Sequence, residues 1–108
     1  MGSVTTLTSS DGHSFEVYGA APDGNPMGTI VVVQEIFGVN AHIREVADGY
    51  ARAGYRAIAP ALFDRVEPKI ELGYAGADMM QGIEIARGKI DVSDALLDIQ
   101  TTVQSASE

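Results

Sequence analysis

The 108-residue chain has no cysteine and no tryptophan, few basic residues and no long apolar run. Without cysteine there is no disulfide scaffold, no thiolate zinc site and no cysteine nucleophile within this stretch, which fits a reducing compartment. The longest apolar stretch, Ile30 to Val33, falls far short of the ~20 residues of a membrane span, and no basic segment followed by an apolar run opens the chain. The sequence is therefore read as soluble and cytoplasmic. Seven Lys and Arg face fifteen Asp and Glu, a net charge of -8, which is the wrong sign for binding a polyphosphate backbone. Nucleic acid is excluded as the expected partner, and membrane with it. What is present, 45% hydrophobic residues, suits one small domain that buries roughly 60 to 70% of its unfolded surface.

Two alternating β-branched segments within about residues 3 to 20 flank Ser9-Ser10-Asp11-Gly12 and predict a β-hairpin. Ala21 to Pro26 is dense in breakers and predicts a loop. Thr29 to Gln34 is a continuous β-branched strand without alternation, the pattern of a parallel strand covered on both faces. Asn40 is a good N-cap, and Ile43, Val46, Ala47, Tyr50 and Ala51 recur at helical spacing before Gly54. Tyr55 to Pro60 returns as a strand, so residues 28 to 60 predict a βαβ unit. Residues 62 to 74 lack a clean period and allow at most a helical turn. Two helices are expected over 75 to 104: one with Met79, Met80, Ile83 and Ile85 as apolar members, and one capped by Asp91 with Ala95, Leu96, Ile99 and Val103 on its face. The last four residues read as frayed.

The chemistry concentrates after the third strand. Glu35 follows a buried parallel strand directly, at the edge where open α/β sheets bind ligands, and a charge there is costly unless paired or functional. It can serve chemistry, cap a loop amide, or meet an arginine such as Arg65. Gln34-Glu35-Ile36-Phe37-Gly38-Val39-Asn40, then His42-Ile43-Arg44, Gly54-Tyr55 and Ala59-Pro60-Ala61-Leu62-Phe63, occur in order at fixed distances and resemble the dienelactone hydrolase (carboxymethylenebutenolidase) family of the α/β-hydrolase fold. The resemblance runs over about residues 28 to 104. It implies the N-terminal half of such a sheet as one partial domain, 1 to 108: an antiparallel hairpin, a βαβ unit with parallel strands, then two helices. The strand order it implies is 1-2-4-3-5.

By that resemblance the activity is hydrolysis of a lactone or carboxylic ester through a cysteine or serine nucleophile with an Asp and a His. Glu35 matches the family glutamate that lies beside the nucleophile and influences its protonation. Ile36 matches the residue whose backbone N–H forms half of the oxyanion hole, a placement that supplies ~3 to 4 kcal/mol where measured. No cofactor or metal is implied. The triad itself is missing, because the nucleophile elbow comes after the fifth strand and the acid and base later still. Gly12-His13-Ser14-Phe15-Glu16 lacks the second glycine of an elbow and lies in a hairpin strand, so Ser14 is not expected to be catalytic. His13 and His42 precede the nucleophile position, and neither can be the family base. His42 with Glu45 offers two metal ligands and no third, so a surface helix is the expectation. The Met79-Met80 pair is expected to fill core. Arg87 cannot be aligned to the family's substrate-carboxylate arginine.

Two function classes remain. In the first, the chain is the oxyanion side of a hydrolase, inactive alone, with a small ester or lactone as ligand of the completed site. Its open, apolar strand 29 to 34 edge then implies that the isolated chain dimerises, aggregates or takes a complementary fragment. In the second it is a non-catalytic α/β interaction or binding module that dimerises through that same edge. A flavodoxin-like nucleotide domain has only the βαβ pattern in its favour, since no glycine-rich loop follows that strand and Glu35 would repel phosphate.

Overall fold

A computed structural model describes residues 2–106. The hairpin forms from β1 (Ser3–Thr8) and β2 (Ser14–Ala20), registered from Ser3 opposite Gly19 to Thr8 opposite Ser14. Then come β3 (Thr29–Val31), helix α1 (Ala41–Arg52) and β4 (Arg56–Pro60). The sheet order is β1-β2-β4-β3, with β4 antiparallel to β2 and parallel to β3. These are the first four strands in the order that the sequence resemblance implied.

Alternation along β4 divides the core between the two faces of the sheet. Ala57 and Ala59 point to α1 and pack with Val32, Ile43 and Ala47. Alanine at these strand positions and at 47 and 51 of the helix lets α1 lie close to the sheet, and all four are essentially inaccessible. Ile58 points to the other face and joins Phe15 and Val17, with Val31 and Ala106 against them. Asn40 caps α1 by accepting from the Ile43 N–H at 3.2 Å.

The Tyr18 hydroxyl donates to Asp48 Oδ1 at 2.6 Å and fastens α1 to β2. Burial, reinforced by the Asp48 carboxylate, raises the phenol above its ordinary value of 10.0. A raised folded value means that the native state holds this proton more tightly, so the stability is fully present below pH 10.0 and is lost as pH rises further. Tyr18→Phe is expected to cost about 1 kcal/mol at neutral pH and to flatten the alkaline limb of melting temperature against pH. An alkaline limb identical to that of the wild type would show that Tyr18 does not produce it.

Three sequence expectations change. The third strand is shorter than residues 29 to 34. Its ladder ends with the Val32 N–H donating to the Ile58 carbonyl at 2.8 Å, and Val33 is 51% exposed. As an edge strand it is half-buried at Ile30 and Val31, not covered on both sides. The segment after β4 contains a 3-10 turn (Leu62–Arg65) that buries Leu62 and Phe63. Helix α2 (Gly76–Glu84) continues as a π-helical turn (Ile85–Lys89), and it buries Gly82 and Ile85 while Met79 and Met80 are exposed, so the methionines are not core filler.

The third correction concerns α3 (Val92–Ala106), whose expected face included Leu96 and Val103. Both are exposed, and the fully buried residues are Asp98 and Thr102. The helix is turned by a polar contact. Asp98 accepts from Ser9 Oγ at 2.6 Å, from Arg65 Nη2 at 2.8 Å and from Arg65 Nε at 3.0 Å. Arg65 also pairs with Asp11 at 2.6 Å. Hydrogen bonding to Asp98 first and Asp11 second raises the guanidinium above its ordinary value, keeping it charged. At the start of α3 the Asp91 side chain accepts from the Ser93 N–H at 2.8 Å, the expected cap. Ser105 and Ala106 remain helical, and the rest of the expected frayed end lies outside the described residues. No helix among the described residues is long and apolar enough to cross a membrane.

Candidate functional site

The chain leaves β3 at its carboxyl end through Gln34-Glu35-Ile36-Phe37-Gly38, a loop held on every side. Glu35 bridges to Gly38 across the turn, and Gly38 bridges to Glu71. The Leu72 N–H donates to the Phe37 carbonyl at 2.9 Å, and the buried Phe37 ring meets Tyr74 edge-on at 4.4 Å. Asn40 Nδ2 reaches the Leu72 carbonyl and the Tyr74 hydroxyl, at 3.3 and 3.1 Å. Arg44 donates to the Val39 carbonyl at 2.9 Å and pairs with Glu71 at 2.7 Å. Segment 70 to 74 thus acts as a second wall, tied to the loop and to the start of α1.

From the other side α2 comes into backbone contact. A Cβ built on Gly82 would lie 2.2 Å from the Ile36 carbonyl oxygen, so no larger residue fits without moving the loop or the helix. A mid-helix glycine costs about 1 kcal/mol relative to alanine, a signal in the sequence that packing demands it. Gln34, to which the sequence pattern assigns no role, bridges Leu62 and Glu35 with its side chain at 2.9 Å each.

Glu35 is exposed, and among the described residues no hydrogen bond or ion pair holds its carboxylate. Arg65, named in the sequence reading as a possible partner, is committed to Asp98 and Asp11 instead. Beside Glu35 and Ile36 lies a depression of about 230 Å³, whose other walls are Gln34, Leu62, Phe63, Ala86, Ile90 and Ala95. The site is thus a free carboxylate and an adjacent backbone peptide facing a mainly apolar hollow. Such an arrangement can accept a proton, or orient a neighbouring group that carries one, next to a fixed amide.

The remaining candidates lie elsewhere. Ser14 shares a 2.8 Å hydrogen bond with the Thr8 hydroxyl across the hairpin. His13 stacks near Phe15, and its Nε2 is buried 3.9 Å from Asp98, without a hydrogen bond among the described residues. His42 meets the Tyr74 ring edge-on. Among the described residues no group of three His, Cys, Asp or Glu side chains comes together to hold a metal.

A hairpin feeding a parallel crossover, with a carboxylate loop at the carboxyl end of β3, defines an α/β-hydrolase type of sheet. The family profile described as the dienelactone hydrolase family matches residues 15–108, and the chain belongs to that family. A Synechocystis protein proposed to be a carboxymethylenebutenolidase is 36% identical over 108 residues, covering 94% of this chain and 42% of its own length. The carboxymethylenebutenolidase of Pseudomonas putida is 41% identical over 63 residues, 58% of this chain and 27% of that protein. The crystal structure of a proposed dienelactone hydrolase from Klebsiella pneumoniae superposes with a TM-score of 0.74 at 30% identity, covering 97% of this chain and 44% of that one. The chain therefore spans less than half the length of these relatives.

Proposed function

We propose that this chain provides the glutamate and oxyanion side of a hydrolase site for a carboxylic ester or lactone. The observation that carries the reading is the unpaired Glu35 carboxylate next to the Ile36 peptide, in a loop braced by Gly82, Phe37 and Asn40. In it Glu35 sets the protonation of a neighbouring nucleophile, and the Ile36 N–H meets the oxyanion that develops on the substrate carbonyl. The chain has no elbow serine or cysteine with a histidine in reach. By itself it is expected to leave p-nitrophenyl acetate at the background rate.

The test is a chimera in which these 108 residues replace the matched stretch of the Synechocystis relative. Hydrolysis of a dienelactone or p-nitrophenyl ester is expected, and Glu35→Ala should change the pH dependence of acylation. A folded chimera without turnover, or an unchanged pH profile in the variant, removes the reading. The open edge favours a second one, pairing of two copies through β3, where Val33 is exposed beside an apolar strand end. Sedimentation of the unmodified chain tests the pairing itself: a monodisperse monomer at tens of micromolar counts against it.

A further inference from the structure

We propose that Gln34 is the positioning residue for the Ile36 amide, an inference that rests on the oxyanion role given to that amide above. The peptide joining Glu35 to Ile36 is a rigid plane with the Glu35 carbonyl on one side and the Ile36 N–H on the other. Whatever holds the oxygen therefore aims the hydrogen. Gln34 Nε2 donates to that carbonyl at 2.9 Å, which adds a side-chain hold to the turn bridge that Glu35 shares with Gly38. Its Oε1 accepts from the Leu62 N–H, also at 2.9 Å.

The partners dictate which end of the Gln34 amide is which. A backbone N–H can meet only the oxygen, and a carbonyl only the NH2 group. Leu62 is a sound anchor, because it is 7% exposed and starts the turn that follows β4. The result is a relay of amides from the Leu62 N–H through Gln34 and the Glu35 carbonyl to the Ile36 N–H. The line fixes the direction of the last N–H. On the far side of Ile36 its own carbonyl is backed by Gly82, so the peptide planes before and after Ile36 are both held.

The substitution Gln34→Glu separates aiming from mere tethering of two strand ends. It keeps an acceptor for the Leu62 N–H but at neutral pH has no hydrogen to give the Glu35 carbonyl. In the isotope-labelled 108-residue chain, the Glu35 carbonyl-carbon and Ile36 amide-nitrogen signals are expected to shift more than those of residues 37 to 40, while the Leu62 amide stays in place. When variant and wild type are compared at the same pH below the ordinary glutamate value of ~4.3, both signals should coincide with those of the wild type, because the neutral carboxyl group can donate again. If Glu35 and Ile36 keep their signals in Gln34→Glu, Gln34 is a tether only and the proposal fails. Should the variant not fold, the wild type decides: a scalar coupling across the hydrogen bond from Gln34 Nε2 to the Glu35 carbonyl carbon is expected, and its absence overturns the proposal. No catalysed reaction enters these readouts, so an inactive chimera would remove the oxyanion role while the clamp is judged separately.

Discussion

Asp98→Ala is expected to destabilise the chain by about 3–5 kcal/mol, the range for breaking a buried ion pair from one side. Asp98 is completely inaccessible and accepts two bonds from Arg65 and one from Ser9. Its loss leaves a guanidinium that is only 12% exposed with the rim carboxylate Asp11 as its closest remaining partner, since Asp94 is 4.0 Å away. It also strips the Ser9 hydroxyl of an acceptor and leaves a void between α3 and the hairpin turn. Three separate stretches of chain meet at this carboxylate, so the loss cannot be absorbed by one loop. At about 4–8 °C per kcal/mol for a domain of this size, the melting temperature should fall on the order of 12–40 °C. Removing the charge from both sides, as in Asp98→Leu with Arg65→Met, should recover most of the loss, because no unpaired charge is then left inside. Chemical denaturation of the three proteins checks this, and a loss below about 1 kcal/mol in the single variant would show that water replaces Asp98 without difficulty.

Gly38→Ala should be of similar severity, and it acts on the site. Gly38 has a φ of 79°, in the left-handed region, which costs an ordinary residue about 1–2 kcal/mol. An added Cβ would also lie 2.1 Å from the Ile70 carbonyl oxygen, which belongs to the wall segment and cannot rotate aside like a side chain. The bridges from Gly38 to Glu35 and Glu71 must then open together. The expected result is a loss exceeding about 2 kcal/mol, with amide exchange accelerating first over residues 35 to 38 and 70 to 72. A variant of unchanged stability and unchanged exchange would show that the loop moves without cost, which would weaken the case for a preorganised amide at Ile36.

Local pattern carried most of the fold. Alternation marked β1 and β2, the Asp-Gly turn marked their connection, and Asn40 with the 3.6-residue period marked α1. The Glu35 loop was legible because several words stood at fixed distances, and the structure places it beyond the carboxyl end of β3, which stops at Val31, three residues earlier than the sequence pattern suggests. The facing of α3 was not legible. Its hydrophobic period favoured Leu96 and Val103, but the interior position went to Asp98, whose partners Ser9 and Arg65 lie 89 and 33 residues away. A buried carboxylate is favourable only where such donors converge, and convergence is a property of the folded chain.

The same division holds at the site. By itself the sequence determined that no cysteine, no elbow serine and no correctly placed histidine exist in these 108 residues, because composition and order along the chain do not depend on folding. It also determined that a carboxylate follows β3. Only the tertiary structure decided that this carboxylate is unpaired among the described residues, that Arg65 is spent elsewhere, and that Gln34, Gly38 and Gly82 brace the neighbouring peptides. Those outcomes depend on which distant groups compete for each hydrogen bond and how closely two backbones can approach. Both are settled by packing in three dimensions rather than by the spacing of residues along the chain.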